Sequence, residues 1–428
     1  MIWSPQQQQV LQYYEQGKNI FMTGPGGSGK TELIKHIVDV SSGKNIQVCA
    51  LTGCAAVLLQ SEASTLHSWA GIGLANGSIN DVLHRVLCNK TRRNNWIKTD
   101  ILIIDEISMM SLKLFTILDI LGKKIKKEPN KPFGGIQVIF SGDFYQLPPI
   151  GSPEDPDSMA FCFESKQWNT TFDKQIQLET IFRQTDPTYA KILNQIRIGK
   201  LFKSSYRILL ERVGIECKGE VVIPTILHPK RQTVNAINTK EMAKLEGPEH
   251  VFERIVVSKK SGAQIDREVN YITSNMMAEK TLKLKIGCQV MCIANLEMEG
   301  PCAIINGSQG IIVGFQNEFP IVKFRDGQQR VIGYHIWPSE NITGLSIKQI
   351  PLIYAWAITI HKAQGTSLDL AQIDIGNNVF ECGQTYVALS RIKSLNGLFI
   401  TAFNPQKIKC NIKVQEFYKG LIVKTFEG

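Results

Sequence analysis

Short apolar runs recur along the first part of the chain, at residues 20–23, 46–51, 101–104 and 136–140. Each is followed by a loop and then by a stretch with helical spacing. Runs of this length read as strands buried on both faces, the signature of a parallel sheet. The pattern predicts a doubly wound α/β domain over residues 1–175, closed by the Pro-rich, acidic punctuation of 148–157. A second α/β block is expected over 176–428, with strands at 221–227, 290–293, 354–358 and 398–402. Between about 295 and 350 the texture changes. Asn306-Gly307 and Asp326-Gly327 punctuate the short apolar runs 311–314 and 321–324, which predicts antiparallel strands joined by tight turns. A small inserted β-barrel is the expected result.

A length of 428 residues fits two or three domains. The net charge of +10 favours an anionic partner such as nucleic acid or a membrane surface, against the plainer alternative of a merely basic soluble protein. No apolar run reaches the roughly 20 residues a membrane-spanning helix needs. Residues 1–9 are polar and carry neither a secretory apolar segment nor an Arg-rich transit pattern. Ten cysteines are present without a CxxC pair. Cys288 and Cys292 lie in an apolar run and are expected to be buried thiols, not metal ligands. A reducing intracellular setting follows, whether cytoplasm, nucleus or a viral replication site.

Gly24-Pro25-Gly26-Gly27-Ser28-Gly29-Lys30-Thr31 matches GxxxxGK[ST] between an expected strand and an expected helix. Glycines let the backbone curl so that its N–H groups face phosphate oxygens, and the helix N-terminus adds a favourable dipole. Lys30 would neutralise the β- and γ-phosphates of ATP, and Thr31 would ligate Mg²⁺. The apolar run before Asp105-Glu106 delivers two carboxylates at a strand end: Asp105 to hold Mg²⁺ through water, Glu106 to orient or deprotonate the attacking water. Gly142-Asp143-Phe144-Tyr145-Gln146-Leu147-Pro148-Pro149 follows the next run. Gln146 is placed to sense the γ-phosphate, and Phe144 beside it to stack on a base.

The order of these motifs, with two further stretches, resembles the Pif/RecD-like group of superfamily-one DNA helicases, and closely its Pif branch. The further stretches are Ala355-Trp356-Ala357-Ile358-Thr359-Ile360-His361-Lys362-Ala363-Gln364-Gly365-Thr366 and Tyr386-Val387-Ala388-Leu389-Ser390-Arg391. The resemblance runs from about residue 4 to 404. It implies two tandem RecA-like P-loop NTPase domains with ATP between them, a small wedge insert at about 74–99 and an SH3-like barrel insert at about 295–350. Gln7 matches the adenine-reading glutamine, with Gln6 and Gln8 as close competitors. Arg183 matches an arginine finger from the second domain, Arg391 the other, and Gly365 a γ-phosphate-sensing backbone.

The resemblance also implies a track for single-stranded DNA. Thr52-Gly53, Thr65 and His67 match first-domain contacts, and Trp69 either stacks on a base or packs inside. Thr359, His361 and Lys362 match the second-domain counterpart, with Lys230 and Arg231 as further phosphate contacts. Arg85, Lys90, Arg92, Arg93, Trp96 and Lys98 form either the wedge or a solvated basic face. Lys123, Lys124, Lys126 and Lys127 are expected to be solvated. The implied activity is ATP-dependent 5′-to-3′ unwinding of forked or 5′-tailed duplex in replication, repair or recombination, compatible with a single-strand-binding or replisome partner. An RNA helicase and a non-enzymatic nucleic-acid-binding protein are the alternatives. The chain starts almost at the adenine-reading motif and stops soon after Arg391, a departure in length from larger relatives with additional terminal domains; the expected whole is a compact, largely self-sufficient helicase core.

Overall fold

The structure is a computed structural model of the 428-residue chain. It describes residues 3–52, 55–56, 59, 63–73, 75, 77–184, 186–217, 222–259, 261–296, 304–339, 342 and 344–426. Two compact units emerge, Met1–Lys200 with Glu381–Tyr386 and Ile408–Gly428, and Leu201–Phe380 with Val387–Lys407.

The first unit is built on six strands: β1 (Ile20–Thr23), β2 (Ile46–Ala50), β3 (Ser64–Thr65), β4 (Ile101–Asp105), β5 (Gln137–Gly142) and β6 (Lys174–Gln177). They pair in the order β3-β2-β4-β5-β1-β6, all parallel. The pleat sends alternate side chains to opposite faces. Ile20 and Met22 join one core with Leu33, Ile37 and Ile103, while Phe21 joins the other with Phe140, Phe144 and Trp168. Both faces are therefore buried, which is why β1, β4 and β5 are each built around an uninterrupted apolar run.

The boundary expected at 176 cuts through β6, which pairs with β1 from Ile20↔Lys174 to Thr23↔Gln177. Lys-Gln-Ile-Gln alternates and buries only Ile176, as an edge strand does, so no apolar run announces it. The helix Ile412–Phe426 also belongs to this unit, adding Val414, Tyr418 and Leu421 to its core.

The segment expected as a wedge forms two helices, Ile79–Leu87 and Lys90–Lys98. Val82, Leu83, Val86 and Trp96 pack into the first unit's own core, so this segment is not a separate small domain. Arg85, Lys90, Arg93 and Lys98 remain exposed on its outer side, and Arg92 is half-buried. Two of the lysines expected to be solvated are instead engaged. Lys123 pairs with Asp119 at 2.7 Å, and Lys126 donates to Ile97 O and Thr99 O at 2.8 and 2.9 Å, tying down the end of the second helix.

The second unit contains β7 (Thr225–His228), β8 (His250–Glu253), β9 (Ile255–Val257), β10 (Thr281–Leu284), β11 (Gln289–Cys292), β12 (Gln309–Gln316), β13 (Phe319–Phe324), β14 (Gln329–Val331), β15 (His335–Pro338), β16 (Ser346–Gln349), β17 (Leu352–Tyr354), β18 (Ala357–Thr359), β19 (Ala371–Ile375) and β20 (Leu398–Phe403). A parallel sheet runs β18-β7-β19-β20. The strand expected at 354–358 is two strands, since β17 belongs to an antiparallel sheet and β18 to the parallel one.

The antiparallel region begins at His250, well before 295. Its largest sheet is open, in the order β14-β13-β12-β11-β17, so among the described residues the expected closed barrel is absent. Asn317 and Glu318, at φ 48° and 67°, make the two-residue turn between β12 and β13, whose twist suits a hairpin. Cys288 and Cys292 are fully buried, and burial pushes their thiols up to about 12 and about 11. Among the described residues no helix is long and apolar enough to cross a membrane.

Candidate nucleotide and nucleic-acid sites

Parallel strands deliver their following loops to one sheet edge, the usual ligand-binding edge of open α/β sheets. In the first unit that edge gathers the loop after β1, the end of β4 and the loop after β5. Gly24, Gly27 and Gly29 have φ of 155°, 85° and 79°, and Gly29 caps the helix Lys30–Val40 from a left-handed conformation. The loop thus closes on itself with the helix N-terminus at its mouth. The Lys30 ammonium donates to Gly24 O at 2.8 Å and Pro25 O at 3.0 Å. Burial pushes its pKa down, against Asp143, Glu106 and Asp105, which hold it up.

Thr31 Oγ1 donates to Asp105 Oδ2 at 3.2 Å, so the two expected Mg²⁺ ligands converge. A hydroxyl and a carboxylate are hard oxygen donors and fit that ion. Glu106 follows at φ 54° and ψ 44°, a left-handed conformation that costs a non-glycine residue energy and concentrates at functional positions. Gln146 is buried, its N–H bonded to Asp143 O at 2.9 Å. Ser28 is buried as well. Gln7 Nε2 donates to Ser28 O at 3.4 Å while its Oε1 accepts from Ser4 N–H at 2.9 Å, so this side chain braces the phosphate loop from the first helix.

Arg183 was expected from the second domain, but it lies in the first unit. Phe182 N–H and Arg183 N–H both donate to Gly27 O, at 2.8 and 3.3 Å, which sets this segment against the phosphate loop. Burial lowers the Arg183 pKa, and Glu106 and Tyr386 raise it. Arg391 belongs to the second unit, where its guanidinium donates to Val387 O at 3.0 Å and Ser390 Oγ at 2.8 Å. Its Nη1 lies 3.5 Å from Thr366 O, the residue after Gly365 (φ 81°).

Four residues without an assigned role stand beneath the phosphate loop. Asp143 is fully buried and receives a two-pronged bond from Arg197, both arms at 2.9 Å. The Tyr386 and Tyr418 hydroxyls each donate to it at 3.3 Å. Sequence reasoning passed over them because a buried arginine at a helix end looks like any surface arginine, and their partners lie 54 to 275 residues apart.

Thr52 follows β2, while Thr65 ends β3 and caps the helix Leu66–Ala70, which carries His67. The pairing of β2 with β3 brings them to one strand edge. Thr52 and His67 line a cleft of about 480 Å³ with Ser111, Lys113 and Ile150. Burial lowers the His67 pKa. Gly53 lies outside the described residues.

Trp69 is 4% exposed and packs on Trp96 with ring centroids 4.5 Å apart; Phe144 is 2% exposed among Phe21, Phe163 and Phe417. Neither ring offers a face to a base, which corrects the stacking role expected of Phe144 and selects, of the two alternatives for Trp69, packing inside. In the second unit Thr359 pairs with His228, and exposed Lys230, Arg231 and Lys362 follow the two strands. His361 sits among them, half-buried, its pKa lowered by burial.

The chain is similar to known proteins. The profile described as PIF1-like helicase matches residues 4–206, and that described as DNA helicase Pif1, 2B domain, matches 269–315. The ATP-dependent DNA helicase PIF1 of Mus musculus is 35% identical over 425 residues, covering 98% of this chain and 63% of its own. The chain spans 55% to 65% of the length of eight curated relatives it matches. The crystal structure of Pif1 helicase from Candida albicans is 33% identical with a TM-score of 0.79, covering 98% of this chain and 100% of that one. The Bacteroides Pif1 helicase in complex with ADP-AlF3 and ssDNA is 28% identical with a TM-score of 0.69, over 98% and 97% of the two chains. On these matches, and with the phosphate-loop geometry behind them, the chain belongs to the PIF1-like helicase family.

Proposed function

We propose that this chain is an ATP-driven motor on single-stranded DNA that unwinds duplex in the 5′-to-3′ direction. The observation that carries the reading is one sheet edge bearing a closed phosphate loop, the Thr31–Asp105 pair, strained Glu106 and Arg183. The curated relatives are named ATP-dependent DNA helicases, and a solved relative is described with ADP-AlF3 and ssDNA, which supports ATP and DNA over an RNA substrate or a non-catalytic binder. The direction rests on the family resemblance as a whole.

In this reading Lys30 holds the β- and γ-phosphates, Glu106 orients the attacking water and Gln146 reads the γ-phosphate. Arg183 and Arg391 stabilise charge on the transferring phosphoryl group, a contribution of about 10³-fold or more in comparable sites. Mg²⁺ held by Thr31 and Asp105 would offset phosphate charge. Gln7 and Gly365 contact the nucleotide. Thr52, Gly53, Thr65 and His67 grip DNA from the first unit, and Thr359, His361 and Lys362 from the second. The exposed basic residues 85–98 meet the fork. The setting is a reducing intracellular compartment, in replication, repair or recombination.

The test is ATP turnover with and without single-stranded DNA, for wild type and Lys30→Ala, followed by unwinding of matched 5′-tailed and 3′-tailed duplexes. DNA-stimulated turnover lost in a folded Lys30→Ala protein, with opening of the 5′-tailed substrate, is the expected result. Near-normal turnover by Lys30→Ala sinks the nucleotide site. Preferential opening of the 3′-tailed substrate sinks the polarity alone, and tighter binding of matched RNA favours the RNA reading.

A further inference from the structure

The Asp143 cluster reaches the phosphate loop at one point. A fully buried carboxylate is costly unless it is paired and hydrogen-bonded. Asp143 is satisfied by the Arg197 fork, by two tyrosine hydroxyls and by Tyr145 N–H at 3.2 Å. Arg197 also lies against the stacked Tyr145 and Tyr418 rings, its guanidinium 4.5 Å from the first and 5.3 Å from the second. A buried bidentate ion pair packed against aromatic rings has little freedom to move. It is a fixed anchor under a loop whose glycines are the most conformationally free residues in the chain.

The two hydroxyls on this anchor differ in what else they hold. Tyr418 accepts from Thr23 Oγ1 at 2.5 Å and from Phe144 N–H at 3.2 Å, so it binds the end of β1 and the loop after β5. Tyr386 accepts from Gly26 N–H at 2.8 Å, in the middle of the phosphate loop. Its hydroxyl is thus fixed by Asp143 on one side and fixes the Gly26 peptide on the other.

We propose that Tyr386 is a positioning residue for nucleotide binding, whose hydroxyl, anchored by Asp143 and Arg197, presets the curvature of the phosphate loop. The inference rests on the nucleotide-site reading above and adds a residue to it. Ordering a loop in advance lowers the entropy lost when the ligand arrives. Without the hydroxyl the Gly26 peptide is released, and that ordering cost falls on the nucleotide.

The matched pair Tyr386→Phe and Tyr418→Phe tests this, since each removes one hydroxyl from Asp143 and only the first touches the loop. Affinity is read by titrating a fluorescent ADP analogue with Mg²⁺, kinetics by steady-state ATP turnover, and loop order by hydrogen exchange over residues 24–29. In Tyr386→Phe the dissociation constant and KM should rise about five- to tenfold with kcat within about twofold, the scale of one lost hydrogen bond. Exchange should quicken at 24–29 and not along β1. Tyr418→Phe should keep nucleotide affinity within about twofold of wild type, losing thermal stability instead.

Wild-type affinity in Tyr386→Phe overturns the proposal, as does an equal loss in Tyr418→Phe, which would reduce both to general support of the core. A Tyr386→Phe protein that does not fold also overturns it, because the residue is then structural. Wild-type protein that binds no nucleotide rejects the nucleotide site itself, a separate outcome.

Discussion

Gly27→Ala should slow ATP turnover by displacing Arg183. Gly27 has φ 85°, and an added Cβ would stand 2.4 Å from Arg183 Cβ, 3.2 Å from Gln184 Oε1 and 3.3 Å from Arg183 N. Carbon atoms sit comfortably at about 3.5–4.0 Å, so the Arg183 segment must withdraw by about 1 Å. Two bonds tie that segment to Gly27 O, so it cannot withdraw without disturbing the loop. The left-handed backbone adds about 1–2 kcal/mol of strain for alanine.

A misplacement of about 1 Å at a catalytic group costs up to about 10²-fold, and that is the expected fall in kcat. The same substitution in an Arg183→Ala background has no guanidinium left to misplace. There its cost should shrink to about thirtyfold or less, the share left by about 1–2 kcal/mol of backbone strain. The assay is steady-state phosphate release at saturating single-stranded DNA for the four proteins of the cycle. Additive losses, with the full effect of Gly27→Ala persisting beside Arg183→Ala, would refute the reasoning.

Arg391→Ala should keep nucleotide affinity and lose turnover, and wild-type kcat in a folded variant removes its finger role. Lys362→Ala should lower the slope of log affinity for single-stranded DNA against log salt by about 0.7, while His361→Gln at pH 7.5 leaves it unchanged, because burial keeps that imidazole neutral. Equal slope changes would contradict this. His67 has a folded pKa below its unfolded value near 6.5, so the unfolded state takes up protons first and stability falls as pH drops below about 6.5. Urea melts at pH 7.5 and 5.5 should show a smaller drop for His67→Gln than for wild type. Trp96→Ala removes a fully buried ring and its bond to Ala70 O, at a cost of about 3–5 kcal/mol; a loss under about 1 kcal/mol by denaturant titration would show the ring is not core.

What could be read without coordinates follows physical range. Strands β1, β4 and β5 are legible because burial on both faces leaves continuous apolar residues. Strand β6, with three polar residues in four, and the alternating β19 send no such signal. Lys30, Thr31, Asp105 and Glu106 are legible because their chemistry depends on spacing within a single turn or strand end. Whether an aromatic ring faces a base or the core depends on what the rest of the chain brings to it. Phe144 and Trp69 are buried by Phe417 and Trp96, which residue type alone does not reveal. The Asp143–Arg197 pair is hidden for the same reason, since only folding brings its members together.

The helix Ile412–Phe426 gives the first unit an awkward schedule during synthesis. The six strands of that unit are complete by Gln177, yet Val414, Tyr418 and Leu421 of its core are encoded beyond the whole of the second unit. At ribosomal speeds of about 5–20 residues per second, roughly 12–50 s separate emergence of the sheet from emergence of the helix that covers it. For that interval Phe144, Phe163 and Trp168 lack the Phe417 ring that packs on them in the finished protein. Nascent chains stalled near residue 400 should therefore expose an apolar face to chaperones and proteases, and emergence of residues 412–426 should remove it. Equal protease resistance before and after residue 426 is translated would show that the sheet closes without its last helix.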